Sequence, residues 1–171
     1  MEPSEFKRQW EIGSDTLIVF PADYVAPAPI PNEAKHFLLA AGLPRDAAPF
    51  LSFAPASRPW GLPDCLEIGA NGSGDPITIM ANGAVLYRNH DAGFAGCYIN
   101  RDLPTLAASL LRFRLLIAET QKACGPDGYL DGLVPPNLGA DFIAFISSID
   151  AGALQSGSMS ADEIANWSQQ T

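Results

Sequence analysis

Two histidines and a scatter of hydroxyl and carboxyl side chains are the conventional chemistry this sequence offers. His90-Asp91, with Tyr87 just upstream, has the pattern of an imidazole oriented by a carboxylate. In a small hydrolase such a base would draw the proton from a serine, with Ser73 and Ser109 as the candidates. No Gly-x-Ser-x-Gly turn is present to expose a seryl nucleophile, so the pair carries little catalytic weight. His36 stands between Lys35 and Phe37 in a helical stretch and reads as a structural residue. Cys65, Cys97 and Cys124 share no Cys-x-x-Cys and match no zinc spacing, so neither a metal nor any other cofactor is expected. Asp127 and Asp131 flank Tyr129 but lack the alternating acidic framework of a calcium loop. The Gly-rich stretch 69–74 runs into Asp75-Pro76 and a β-branched strand, placing a carboxylate where a phosphate would need a cation. It reads as a strand connection.

The elements that would hold these groups are easier to read. Thr16-Leu17-Ile18-Val19-Phe20 predicts a short buried strand, and Pro21, Pro27, Pro29 and Pro31 predict a stiff extended connector behind it. Ala34, Phe37, Leu38 and Ala41 fall on one helical face over 32–41, with Gly42 as the left-handed cap and Pro44 as the stop. Pro49-Phe50-Leu51-Ser52-Phe53 alternates as a strand, and a Pro-rich loop over 55–63 carries Trp60. A strand around Leu66-Glu67-Ile68 precedes the glycine-rich loop. Strands over 75–80 and 84–87 flank Asn82-Gly83, a pair suited to a two-residue hairpin turn with positive φ at both positions. After a loop over 90–96, strand 97–100 hands over to a long helix opened by Asp102 and Pro104. Leu103, Leu106, Ala107, Leu110, Phe113 and Ile117 form its buried stripe, with Arg112, Arg114 and Glu119 facing out. Helix 138–149 follows the loop closed by Pro135-Pro136. Ser160 with Glu163 predicts a capping box for a last helix through Trp167. The fold class is α+β: an antiparallel sheet of about five or six strands with helices on one side. The length of 171 residues suits one domain spanning 1–171.

Composition narrows the partner. A hydrophobic share of 47% against 17% charged residues belongs to a folded chain. The net charge of −9 disfavours nucleic acid and anionic membrane surfaces, both of which call for clusters of Lys and Arg. Seven carboxylates stand against Lys122 alone from Leu115 onward, so the acidity is concentrated in the last third. Such a surface is either a solvated face or a docking face for a basic protein. Three unpaired cysteines and the lack of a leader-like or membrane-spanning run point to a cytoplasmic protein.

Four segments, in order, resemble the fourth subgroup of the SUKH superfamily. They are 37–46 with 49–53 behind it, then Leu66-Glu67-Ile68-Gly69 with the 75–85 hairpin, then Tyr98-Ile99-Asn100-Arg101-Asp102-Leu103, and finally Ile149-Asp150-Ala151-Gly152-Ala153-Leu154 with Trp167 beyond. Together they span residues 32–167. Arg101-Asp102 and Asp150-Ala151 depart from the Asn-Ser or Asn-Thr and Asp-Pro pairs that members often carry. The resemblance implies a bent sheet, no catalytic activity, and for bacterial members the binding and neutralising of polymorphic toxins, often nucleases or deaminases. The alternatives are a regulatory scaffold for an endogenous protein and the small hydrolase around His90. Aromatic residues anchor interfaces, so a contact surface is expected where the hairpin, the Trp60 loop and the loop after Tyr87 converge. Trp60, Asp64, Asp75, Tyr87 and Asp91 are its candidate residues. Trp167 is expected in the core, and the oligomeric state is not legible.

Overall fold

From residue 46 to residue 100 every strand pairs antiparallel with its neighbour in sequence. A computed structural model describes residues 1–11, 16–57 and 59–167. Strands β3 (Asp46–Ala47), β4 (Leu51–Phe53), β5 (Cys65–Asn71), β6 (Pro76–Met80), β7 (Val85–Asn89) and β8 (Ala95–Asn100) form one six-stranded meander in that order. Alternation decides which face is buried: Leu66, Ile79 and Val85 are cross-strand neighbours and form part of the core. The register shifts once between Glu67 and Gly69 and once between Val85 and Leu86. Extra residues of this kind bend and twist a sheet. A Cβ on Gly69 would stand 2.0 Å from the Ser52 carbonyl oxygen, so β4 lies directly against the first irregularity.

The long helix α4 (Leu103–Cys124) starts where the sequence places it. The Asp102 carboxylate accepts from the Thr105 backbone N–H at 2.8 Å, and Thr105 Oγ1 accepts from Asp102 N–H at 3.2 Å, a reciprocal cap. Its stripe of Leu103, Leu106, Ala107, Leu110 and Phe113 is buried. Helix α5 (Pro136–Ile149) packs Phe142 against Phe113 with ring centroids 4.5 Å apart, and Trp167 of α6 (Met159–Trp167) closes on Phe142 from the other side at 5.4 Å. Helix α1 (Pro3–Glu11), an element with no expected counterpart, buries Phe6 and Trp10, one turn apart. Phe6 packs on Phe37 of α3 (Asn32–Ala40) at 5.7 Å. Trp10 lies under the Arg114 guanidinium, whose Nη1 donates to the Trp10 carbonyl at 2.7 Å.

A buried polar hub ties sheet to helices. Asp150, 6% exposed at the end of α5, accepts hydrogen bonds from the Tyr98 hydroxyl at 3.1 Å, Asn100 Nδ2 at 3.3 Å and the Arg101 backbone N–H at 2.7 Å. All three donors lie at the point where β8 turns into α4. The carboxylate therefore fixes the strand-to-helix corner against the end of α5.

Several local expectations are corrected. The first strand shrinks to β1 (Leu17–Ile18): Pro44 of its partner β2 (Leu43–Pro44), opposite Leu17, has no N–H to extend the ladder toward Thr16, and at the other end the Phe20 N–H donates to the Leu38 carbonyl at 3.3 Å instead. The proline-rich connector is partly helical: Pro21 seeds α2 (Ala22–Val25), accepting from the backbone N–H of Tyr24 and Val25 at 3.1 Å each. At the hairpin tip only Gly83 has positive φ, at 93°, and Met80 pairs with Ala84 around a three-residue loop. Asn82 instead spends its side chain accepting from Ala84 N–H. Residues 69–71 belong to β5, which leaves a shorter connection to β6. Arg112 and Arg114 are half-buried because their guanidinium groups lie over Phe145 and Trp10. The last helix is capped by Ser158, whose Oγ accepts from Ala161 N–H, while Glu163 receives the Tyr129 hydroxyl at 2.6 Å.

Candidate functional site

The loop between β4 and β5 crosses the sheet and is pinned at two points. The Trp60 backbone N–H donates to Glu67 Oε1 at 2.7 Å, and the Tyr24 hydroxyl accepts from Ala56 N–H while donating to the Glu67 carbonyl. Glu67 is buried, which raises its carboxyl above the ordinary range, against the lowering effect of the N–H groups of Trp60 and Gly61. Trp60 itself is 54% exposed. Its ring stacks on His90 at 6.0 Å with planes 18° apart, and meets Phe94 edge-on at 5.2 Å.

His90 opens the 3-10 turn His90–Ala92, whose N–H groups are capped by the Asn89 side chain. Its ring is held from both ends: Nδ1 is 2.7 Å from Asp75 Oδ1, and Nε2 is 3.4 Å from Asp91 Oδ1. Asp75 is 5% exposed and also accepts from His90 N–H at 2.9 Å and Asn71 Nδ2 at 3.0 Å. Burial pushes the Asp75 carboxyl up, but those donors outweigh it and hold the group below the usual carboxylate range. Asp75 thus fastens the β5–β6 turn to the β7–β8 connection, with His90 as the clasp.

Asp75 fixes the imidazole through Nδ1 and Trp60 covers one ring face, while Nε2 stands 3.4 Å from the exposed Asp91 carboxylate with no serine among the described residues hydrogen-bonded to it. Ser109 lies in the core, donating to Thr105 O at 2.9 Å and accepting from Asn100 at 3.1 Å. Among the described residues no cluster of three or more His, Cys, Asp or Glu side chains is placed to hold a metal. The three cysteines are free thiols. No described helix is long and apolar enough to cross a membrane.

Of the residues singled out in the sequence, Trp60, Asp75 and Asp91 meet around His90. Asp64 and Tyr87 do not join them. Asp64, at φ +55°, sits at the far end of the β5–β6 ladder, where its carbonyl accepts from Ala81 N–H. Tyr87 pairs with buried Ile77 and with Cys97, on the face that packs against the helices. A hydrogen bond with Cys97, burial and nearby carboxylates raise its hydroxyl well above the ordinary tyrosine range. The hairpin tip is likewise no part of the cluster. Phe94, absent from the sequence reading, completes it, held at φ +62° after Gly93.

The Asp75 clamp has an acid signature. Its folded pKa lies below the unfolded value of about 4, so its stabilisation is complete above that pH and is lost as the pH falls through the folded value. Asp75→Asn is expected to flatten the decline in melting temperature below about pH 4. Thermal scans of both proteins in acid would show this; parallel slopes would remove Asp75 from the account.

A family model described as SUKH-4 immunity protein matches residues 9–170. No curated protein and no solved structure matches the chain.

Proposed function

The chain belongs to the SUKH-4 immunity protein family, and from that membership we propose that it neutralises a polymorphic toxin of nuclease or deaminase type by binding it one to one. The family match, running over nearly the whole chain, is the observation that carries this reading. It acts in the cytoplasm, where it meets the toxin before its targets are damaged, and performs no chemistry of its own. The placement of Ser109 supports a binding role: it is 1% exposed and hydrogen-bonded to Thr105 and Asn100, so it is not presented to His90 as a nucleophile. Net charge −9 supports a basic partner, as nuclease and deaminase domains that grip nucleic acid tend to be.

The test is co-expression with nuclease and deaminase toxin domains, beginning with any that is encoded next to this chain's gene. Growth is restored by the wild-type chain and equally by His90→Ala, because no catalytic histidine is involved. Protection lost in His90→Ala with the fold and melting temperature intact would favour the hydrolase instead. Absence of protection by the wild type would remove the immunity role.

A further inference from the structure

A broad hollow lies away from the Trp60 cluster. It is a groove of about 570 Å³ between the β3–β4 hairpin and α4, floored by Leu51 and Ile117 and closed by Tyr129 and Leu130. Two large apolar side chains stand up at its edges, Phe50 at 69% exposure and Leu130 at 70%. Phe50 also lines the two adjoining hollows, toward Tyr87 on one side and Trp167 on the other.

Folding gives no reason for a phenylalanine at position 50. Its φ is +56°, in the left-handed region where a residue with a Cβ is strained and glycine or asparagine rests easily. Its ring returns little burial in exchange. A position that breaks a local rule without a stabilising return is where function is expected to act.

The rim is acidic. Asp46 lines the groove and Glu163 lines the hollow beside Leu130; Asp127 and Asp131 stand near lining residues in the chain, as Arg45 and Lys122 do. No Lys or Arg is among the lining residues of the groove or its two adjoining hollows. A second copy of this chain would bring the same carboxylates against themselves, which disfavours self-association. The complementary occupant is apolar at its centre and positive at its edges.

We propose that the Phe50–Leu130 groove is the surface that grips the partner, and that the partner is a protein segment presenting an apolar side chain between lysines or arginines. This rests on the binding role proposed above and names the surface and the chemistry that role uses. Phe50 and Leu130 act as the paired anchors, and the carboxylates set the sign of charge accepted.

The test uses two short peptides with the same Leu-Phe centre, one flanked by lysines and one by glutamates, added to the full-length, isotope-labelled protein. The lysine peptide is expected to shift backbone amides of residues 46–51 and 128–132 and to bind more weakly as salt is raised. Phe50→Gly and Leu130→Asp should each weaken it by about tenfold or more. Phe50→Gly should at the same time hold or raise the melting temperature, a combination that a purely structural phenylalanine would not give. Equal binding of the glutamate peptide, shifts confined to residues 60 and 90–94, no binding of either peptide, or a dimer abolished by Phe50→Gly would each overturn the proposal. Because the readout is peptide binding, it is separate from the growth assay: peptide binding without toxin protection would count against the immunity role and leave the groove standing.

Discussion

Asp150→Ala is expected to cost about 4 kcal/mol of folding stability, the scale for leaving several buried donors without an acceptor. Tyr98 Oη, Asn100 Nδ2 and Arg101 N–H all point at this one carboxylate, which is 6% exposed. Truncation leaves them facing a cavity at the corner where β8 becomes α4. Asp150→Asn should cost less, about 1 kcal/mol, because Oδ2 alone is within reach of all three donors and an amide oxygen placed there keeps them, while the new NH2 faces the Tyr98 hydroxyl, which can turn to accept. Tyr98→Phe removes one donor together with its need and should be milder than either. Urea unfolding of the three variants gives the ranking, and an Asp150→Ala loss below about 1 kcal/mol would mean water replaces the carboxylate freely.

Gly42→Ala should be nearly as damaging, at about 3 kcal/mol. The backbone there has φ +76°, which already disfavours alanine, and the added Cβ would sit 2.1 Å from the Ile18 carbonyl oxygen. No flexible side chain can yield, since the obstacle is backbone. The β1–β2 ribbon would have to open, pulling Phe20 from the core, where it is 1% exposed. Gly61→Ala is the control: its φ is +70°, yet nothing lies within 4 Å of a Cβ, so it carries the backbone strain alone. A melting temperature for Gly42→Ala no lower than that of Gly61→Ala would show that the contact with β1 is unimportant.

What could be read from the sequence followed strong local rules. The Asp102 cap with Pro104 behind it, the stripe from Leu103 to Phe113, and the α+β order of the elements each follow from short-range patterns that the fold does not override. Helix α1 was hidden because charged residues surround Phe6 and Trp10, and its burial depends on Phe37 and Arg114, far off in sequence. The Asn82-Gly83 turn failed because Asn82 found a better use for its side chain than a left-handed backbone. Asp75 and His90 could be named, but their union across 15 residues could not, since it needs the β7–β8 turn to fold back over the β5–β6 turn. The Phe50 groove left one faint signal. In Phe50-Leu51-Ser52-Phe53 the alternation puts Phe50 on the face of exposed Ser52, out of phase with buried Leu51 and Phe53.

The most direct measurement of the whole account is the activity of the cognate toxin domain titrated with this protein. Neutralisation by occupation predicts a linear fall in toxin activity that ends at one molar equivalent, with the toxin recovered intact when the complex is separated. Complete loss of activity at a small fraction of an equivalent, with the toxin permanently altered, would contradict it, because only turnover can silence many molecules with one.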